Sequence, residues 1–387
     1  MKTYDWIIIG AGITGAALAY ELRKVGFSVL LLEQDEISQN ATRYSYGGIS
    51  FWSGTTPITQ QLCEEGIIRH RILSQELNAD TQFRELDLLM TIPVDVNPEM
   101  IAKSYQKALI PPGLITIQAA CELEPLLNPQ VISGALTVKH GHVHPEKTTQ
   151  AYIQAMVNLG GEIQFGKFLQ LITTPTKKCQ GVKTNNMTFH SENIVFCAGG
   201  ISRQLLKSMG IATKIYFSHA EIIETPPLDM QLHTLVSPAN LQRFQLEIES
   251  TKIDELWDSP DYEIALSILD AGVVQFFDGS LRIGQISRIL TNPEAKINSA
   301  VSEKWLRESI TKILPSLGNV PGRWHHCLVA FTQDKLPLIG AISEFSGLHI
   351  FSGFNSPFIF VPPLAVRFAK FVSGAEDEII KQMSPYR

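Results

Sequence analysis

The stretch YDWIIIGAGITGAALAYELRKVGFSVLLLEQD, Tyr4 to Asp35, restricts the possible folds more than any other part of the chain. Trp6 to Ile9 is a short apolar run, the pattern of a strand buried on both faces of a parallel sheet. Gly10, Gly12 and Gly15 follow at GxGxxG spacing, and a helix with small contacts at Ala16, Ala17 and Ala19 runs to about Lys24. Gly26 ends that helix, and SVLLLE supplies a second strand that closes on Glu33. Each glycine has its own task. Gly10 permits the tight turn, Gly12 lets the backbone approach a pyrophosphate, and Gly15 lets the helix lie close on the strand. Ile13 and Thr14 open the helix, whose free N–H groups and positive end face the phosphates. The Glu33 carboxylate, with Gln34 beside it, is placed to accept hydrogen bonds from the ribose hydroxyls of an adenosine. The motif fits the ADP half of either FAD or NAD, and the rest of the chain has to separate the two.

At 387 residues the chain is long enough for two domains with filled cores. Its formal net charge of −6 and scattered Lys and Arg leave no basic stripe, so nucleic acid is not an expected partner. The cysteines, Cys63, Cys121, Cys179, Cys197 and Cys327, are odd in number and form no CxxC pair. A disulfide framework is therefore not expected, and a cytoplasmic location fits best. The N-terminus does not read as a signal peptide. Phe345 to Val366 lacks Asp, Glu, Lys and Arg, but Gly347, Gly353, Pro357, Pro362 and Pro363 interrupt it. It reads as strand, turn and helix start, so no integral membrane segment is expected. No GxSxG, Walker A or HExxH motif supports a hydrolase, NTPase or zinc-protease reading. Oligomeric state is not legible.

Three later segments separate FAD from NAD. GHVHPEKTTQAYIQAMVNLGGEIQFG reads as a strand end, a Pro-initiated helix and a strand. FLQLITTPTKKCQGVKTNNMTFHSENIVFCAGG reads as a β-meander with an Asn-Asn turn, ending at a second glycine turn, Gly199 and Gly200. DKLPLIGAISEFSGLHIFSGFNSPFIFVPPLAVRFAKFVSG gives a turn, a strand, a loop and a last helix. With GxGxxGxxxA, CAGG and TQDKLPLIG in this order, the whole chain resembles the FAD-dependent amine and amino-acid oxidases typified by D-amino-acid oxidase, glycine oxidase and monomeric sarcosine oxidase.

The resemblance implies an α/β chain, α+β overall. A Rossmann-like FAD-binding domain would comprise 1–85, 140–215 and 322–387. A discontinuous substrate domain, 86–139 and 216–321, would be built on a large mixed sheet. It also implies oxidation of a C–N bond in an amine or amino acid, by hydride transfer to flavin N5, with oxygen as acceptor and hydrogen peroxide as product. The alternatives are a dehydrogenase passing electrons to a quinone or carrier, and a flavoprotein without catalysis. Thr42 and Arg43 fall on a Thr-Arg pair that contacts the flavin, and Arg43 over the ring would favour the reduced anion. Arg282 either replaces a lysine associated with oxygen activation or is an ordinary arginine at an exposed strand edge. Further implied cofactor contacts are Phe168, Cys197, Ala198, Gly199, Gly353, Phe354, Asn355 and Phe358. Cys327, seven residues before Asp334, falls where sarcosine oxidase bonds cysteine sulfur to the flavin 8α carbon. The competing reading is a packed apolar cysteine. Pro362 and Pro363 suit the first turn of the last helix, whose positive end would face the flavin C2 carbonyl.

Some residues depart from the family. Tyr46 and Phe360 occupy the two cationic positions that grip the substrate carboxylate in sarcosine oxidase, which argues against a small amino-acid substrate. Arg288 is a cation that could restore a carboxylate site. His140, His142 and His144 alternate and are either a zinc-type set or a partly solvated strand; no metal is expected. Of His325 and His326, strand geometry turns one toward the flavin and one away. His219 is a candidate pocket wall.

Overall fold

The computed structural model describes residues 2–387. Among these, one sheet of eight strands and one of nine form the frame. The first is built on parallel strands in the order Glu162–Phe165, Val29–Glu33, Thr3–Ile9, Thr188–Phe196 and Leu348–Ser352, with Leu338–Ala341 antiparallel at the edge. Alternation along these strands divides the core in two. Trp6, Ile8, Leu31 and Val195 face the helices Ile13–Lys24, Pro145–Asn158 and Pro357–Val372. Ile7, Ile9, Leu30 and Ile194 face the meander Phe168–Thr173 and Cys179–Thr184. Both faces are covered, which is why the central strands carry unbroken apolar runs, Trp6 to Ile9, Val29 to Leu32 and Ile194 to Phe196.

The second sheet runs in the order Arg323–Phe331, Tyr216–Glu224, Leu281–Leu290, Glu263–Gln275, Leu235–Pro238, Arg84–Pro93, Ile132–His142 and Gly48–Ile49. Helix Ser299–Ile313 covers one of its faces with Leu306 and Ile310. The opposite face carries Ala220, Ile222 and Cys327 and meets Tyr44 from the segment after the second strand. No described helix is long and apolar enough to cross a membrane.

The last helix corrects one expectation. It starts at Pro357, after Ser356, so Pro362 and Pro363 lie inside it rather than in its first turn. A proline has no N–H for the carbonyl four residues earlier, which leaves the Phe358 and Ile359 carbonyls without helical partners. Helix Pro57–Glu76 meets these carbonyls with His70 and Gly66, positions four apart and hence on one face. His70 Nε2 donates to the Phe358 carbonyl. Gly66 lies so close to the Ile359 carbonyl that a β-carbon there would sit 2.2 Å from its oxygen. Burial lowers the His70 pKa to about 4, so the ring is neutral and keeps one N–H for this bond.

Gly66→Ala should therefore push the two helices apart and destabilise the protein by about 1–3 kcal/mol. His70→Ala should cost about 1–3 kcal/mol by stranding a buried carbonyl. Urea unfolding curves of both variants check this.

Candidate functional site

The glycine turn is built as its spacing requires. Gly10 has φ of 103°, and a β-carbon there would stand 2.8 Å from the Cys197 carbonyl oxygen. A β-carbon at Gly15 would stand 1.9 Å from the Gly10 oxygen. Only glycine lets the two turns and the helix meet so closely. Gly12 is the residue before the helix, and Ile13 its first residue. The Ile13 N–H donates to Thr42 Oγ1 at 3.1 Å, so Thr42 already serves the N-terminus of this helix. Glu33 is held at its strand end by the Ala11 and Gln34 N–H groups, each at 2.8 Å. A carboxylate has about four acceptor sites, so two such bonds leave capacity for hydroxyl donors.

These residues open on a cleft of about 430 Å³, lined by Ala11, Gly12, Glu33, Thr42, Arg43 and Glu146, within the size range of nucleotide sites. Thr14 lies one residue into the helix. Ala198 and Gly199 form the second turn, directly after the strand that pairs with the first. Cys197 is buried, its thiol pushed well above the ordinary value by desolvation. Phe168 stacks edge-on against Phe196 and is only 8% exposed. Cleft, glycine turn and acceptor carboxylate fit the adenosine diphosphate part of a dinucleotide, with Thr42 Oγ1 on the Ile13 N–H at its edge.

At the edge of the cleft and behind it, six side chains converge. Arg43 donates to Glu224 through two nitrogens at 2.6 and 3.0 Å, and its Nε lies 3.0 Å from Glu146. Arg282 lies 3.4 Å from Glu224 and donates to the Ser45 carbonyl. His325 Nε2 is 3.7 Å from Glu224, and its ring stacks on Tyr44 at 4.6 Å. Burial opposes the Glu224 carboxylate. The hydrogen bonds and charge of Arg43, with the charge of Arg282, nevertheless hold its pKa below the ordinary value. His325 is lowered, first by burial, and is neutral at pH 7. Two cations and two carboxylates therefore balance here. Arg282 is 2% exposed with an unpartnered Nε, which removes the exposed-edge reading.

Cys327 stands opposite Ala220 in the register, on the same face as His325. Burial pushes its thiol up to about 12, with Arg282 pulling the other way. Asp334, which ends the motif, accepts the Leu336 N–H at 3.0 Å and pairs with Arg387 at 2.7 Å, so it fixes the turn. Gly353 (φ 85°) lies in the loop before the last helix, with Phe354 and Phe358 buried. Asn355 Oδ1 accepts the Thr332 N–H at 3.3 Å, tying that loop to the strand of Cys327.

Other expectations change. His326 lies on the far face, stacked on His219 and Trp324. His219 is therefore not a pocket wall beside Cys327; its Nε2 is 2.9 Å from the Asn292 carbonyl oxygen. Arg288 is held on that far face by Glu221 at 2.6 Å and Ser302 at 3.3 Å, so it does not restore a carboxylate site. His140 accepts from Trp52 Nε1 at 3.0 Å, His142 lies beside Arg84, and His144 caps helix Pro145–Asn158. Among the described residues no group of three or more His, Cys, Asp or Glu is arranged for a metal ion.

The chain matches the family model described as FAD dependent oxidoreductase over residues 5–370, and it belongs to that family. It is similar to 4-methylaminobutanoate oxidase (formaldehyde-forming) of Paenarthrobacter nicotinovorans, 22% identical over 95% of this chain and 43% of that one. An uncharacterized oxidoreductase of Bacillus subtilis is 24% identical over 100% of this chain and 98% of its own. The mitochondrial pyruvate dehydrogenase phosphatase regulatory subunit of Mus musculus is 23% identical over 90% of this chain and 39% of its own. The chain thus spans less than half the length of the first and third. Among solved structures, glycine oxidase from Geobacillus kaustophilus superposes with a TM-score of 0.80 at 18% identity, covering 100% of this chain and 99% of that one. L-proline dehydrogenase from P. horikoshii gives 0.78 at 20% identity, covering 100% and 98%. L-alpha-glycerophosphate oxidase from Mycoplasma pneumoniae, solved with FAD bound, gives 0.73 at 16%, covering 97% and 96%. The expected fold and family are borne out, and FAD is the cofactor of the family.

Sequence reasoning did not find Glu224 or Glu146. Glu224 ends YFSHAEIIE, where nothing local distinguishes it from Glu221. Because its folded pKa is lowered, Glu224 stabilises the protein above the ordinary glutamate value and loses that contribution as pH falls through the depressed one. Glu224→Gln should cost about 1–3 kcal/mol at pH 7, toward the low end for a partly solvated group. The variant should also lose less stability than wild type between about pH 5 and pH 3. Urea titrations across that range test both statements.

Proposed function

We propose that the chain oxidises a C–N bond of an amine or amino acid, with oxygen as the electron acceptor. The observation that carries this reading is that Arg43, which lines the glycine cleft, is bonded to Glu224, the carboxylate that also holds Arg282. When bound, FAD would supply the hydride acceptor and the electron relay, with hydrogen peroxide the product where oxygen is the acceptor. The residues of the chain supply position and charge. Gly10, Gly12, Gly15 and Glu33 hold the adenosine diphosphate end, and Ala198, Gly199 and the 353–358 loop border the flavin end. Phe168 shapes the adenine side. In this reading 1–85, 140–215 and 322–387 form the cofactor domain, and 86–139 with 216–321 the substrate domain. Arg282 brings a buried positive charge to the site, and Arg43 shares its own with Glu224 and Glu146. The name of the Paenarthrobacter relative, a methylamino acid oxidase, supports a secondary amine. The proline dehydrogenase likeness supports the second reading, a dehydrogenase that feeds a carrier. Oxygen uptake measured against dye reduction separates the two.

Cys327 is the proposed covalent anchor of the flavin. Acid precipitation should leave a yellow pellet, the intact mass should exceed that of the polypeptide by one FAD, and Cys327→Ser should release the colour. Complete extraction of flavin from the wild type would reduce Cys327 to a packing residue.

Tyr46 and Phe360 leave no cation at the two positions that hold a small α-carboxylate in sarcosine oxidase. An unpaired buried carboxylate costs several kcal/mol, on the order of a thousandfold in affinity. Sarcosine and glycine should therefore bleach the flavin poorly in an anaerobic screen. Larger secondary amines without an α-carboxylate, such as pyrrolidine, piperidine and 4-(methylamino)butanoate, should do better. Bleaching by none of a broad panel of amines and amino acids would end the C–N reading.

A further inference from the structure

Residues 383–387 run as a strap along the segment 334–343. The Ile339 N–H donates to the Met383 carbonyl at 2.7 Å, and the Ser343 N–H donates to the Tyr386 hydroxyl at 2.6 Å. Pro385 lies so near Gly340 that a β-carbon there would stand 3.4 Å from its Cδ. Arg387 closes the strap on the turn at Asp334. Its Nε and one Nη donate to the two carboxylate oxygens of Asp334 at 2.7 and 3.0 Å. Its Nη groups also donate to the Leu336 and Pro337 carbonyls at 2.6 and 3.0 Å.

That turn needs holding. Lys335 sits in it with φ of 65°, a conformation that costs a residue with a β-carbon free energy. Gln333, Asp334 and Lys335 are exposed, so burial does little to fix them. A single exposed ion pair also contributes little. The Arg387 fork differs because it grips both carboxylate oxygens and two carbonyls at once. From Asp334 the contacts continue inward. Asp334 Oδ1 accepts the Leu336 N–H at 3.0 Å, and Thr332 Oγ1 donates to the Leu336 carbonyl at 2.8 Å. The Thr332 N–H donates to Asn355 Oδ1 at 3.3 Å, and a β-carbon on Gly353 would stand 2.8 Å from Thr332 Cγ2. An unbroken series of contacts thus joins Arg387 to the loop before the last helix. We propose that Arg387 is a positioning residue for the cofactor: acting through Asp334 and Thr332, it holds the 353–358 loop in the shape that receives the flavin ring of FAD. A loop ordered in advance binds more tightly than one its ligand must order. This rests on the reading that the loop borders the flavin, and not on the C–N chemistry.

The test uses the Cys327→Ser background, in which flavin can be removed and added back, with FAD and ADP as probes. Quenching of flavin fluorescence reads FAD binding, and calorimetry reads ADP binding. Arg387→Met should raise the Kd for FAD about 10-fold, the effect of one lost charged hydrogen-bonding group. It should also weaken the visible circular dichroism of the bound flavin. Its Kd for ADP should not change, since ADP reaches only the glycine turn and Glu33. Asp334→Asn should behave alike, and the double variant should be no worse than either single one. Arg387→Lys should recover part of the affinity. Arg307→Met removes an arginine with a comparable set of bonds, to Glu303 and the Gly318 and Val320 carbonyls, and should change neither Kd. An FAD Kd unmoved by Arg387→Met, or equal losses for FAD and ADP, would overturn the proposal. The expected split with no amine able to bleach the flavin would uphold the strap and remove the C–N reading. Bleaching by amines with FAD affinity indifferent to Arg387 would remove the strap and leave the C–N reading standing.

Discussion

The Glu224 carboxylate is the joint on which the two halves of the molecule turn. It ends a strand of the second sheet, and it receives Arg43 from the segment that follows the glycine motif. Arg282, opposite Glu224 on the neighbouring strand, adds a second cation, and His325 borders the carboxylate. Without a carboxylate here, two guanidinium groups would share a half-buried site with no counterion on the sheet, an arrangement that repels strongly in a low dielectric. Glu224, with Glu146 on the other side of Arg43, thus lets two arginines stand together at neutral overall charge.

Much of the frame was legible because its causes are local. The glycine turn, the helix after it, the second strand and the Pro-initiated helix each follow from a few adjacent residues, and the Asn185–Asn186 turn joins two antiparallel strands as read. The candidate site was legible only in part. That Thr42 and Arg43 lie at the cleft could be read by resemblance. That Arg43 is tied to Glu224, 181 residues later, could not, because no local pattern records a partner so distant.

Arg288 shows a different kind of limit. By strict alternation it would share a face with Arg282, six positions earlier. The pairing of 216–224 with 281–290 shifts between Glu221 and Ile222, where Ile286 and Gly284 oppose consecutive residues. The extra residue turns the strand over, so Arg282 faces Glu224 while Arg288 faces Glu221 and the helix behind. The same geometry puts His326 and His219 behind the sheet and His325 in front.

Pro362 and Pro363 bind two distant parts of the gene to one another. Each removes a donor from the last helix, and the missing donor or clearance is supplied by His70 and Gly66, the histidine standing 288 residues before the carbonyl it serves. The four positions therefore form one inherited unit. A lineage that regains an N–H at 362 frees position 70 to drift, whereas one that loses His70 first must pass through a stranded carbonyl. Grafts of either helix from a relative should be chosen in pairs, since neither helix carries the instructions for its own neighbour.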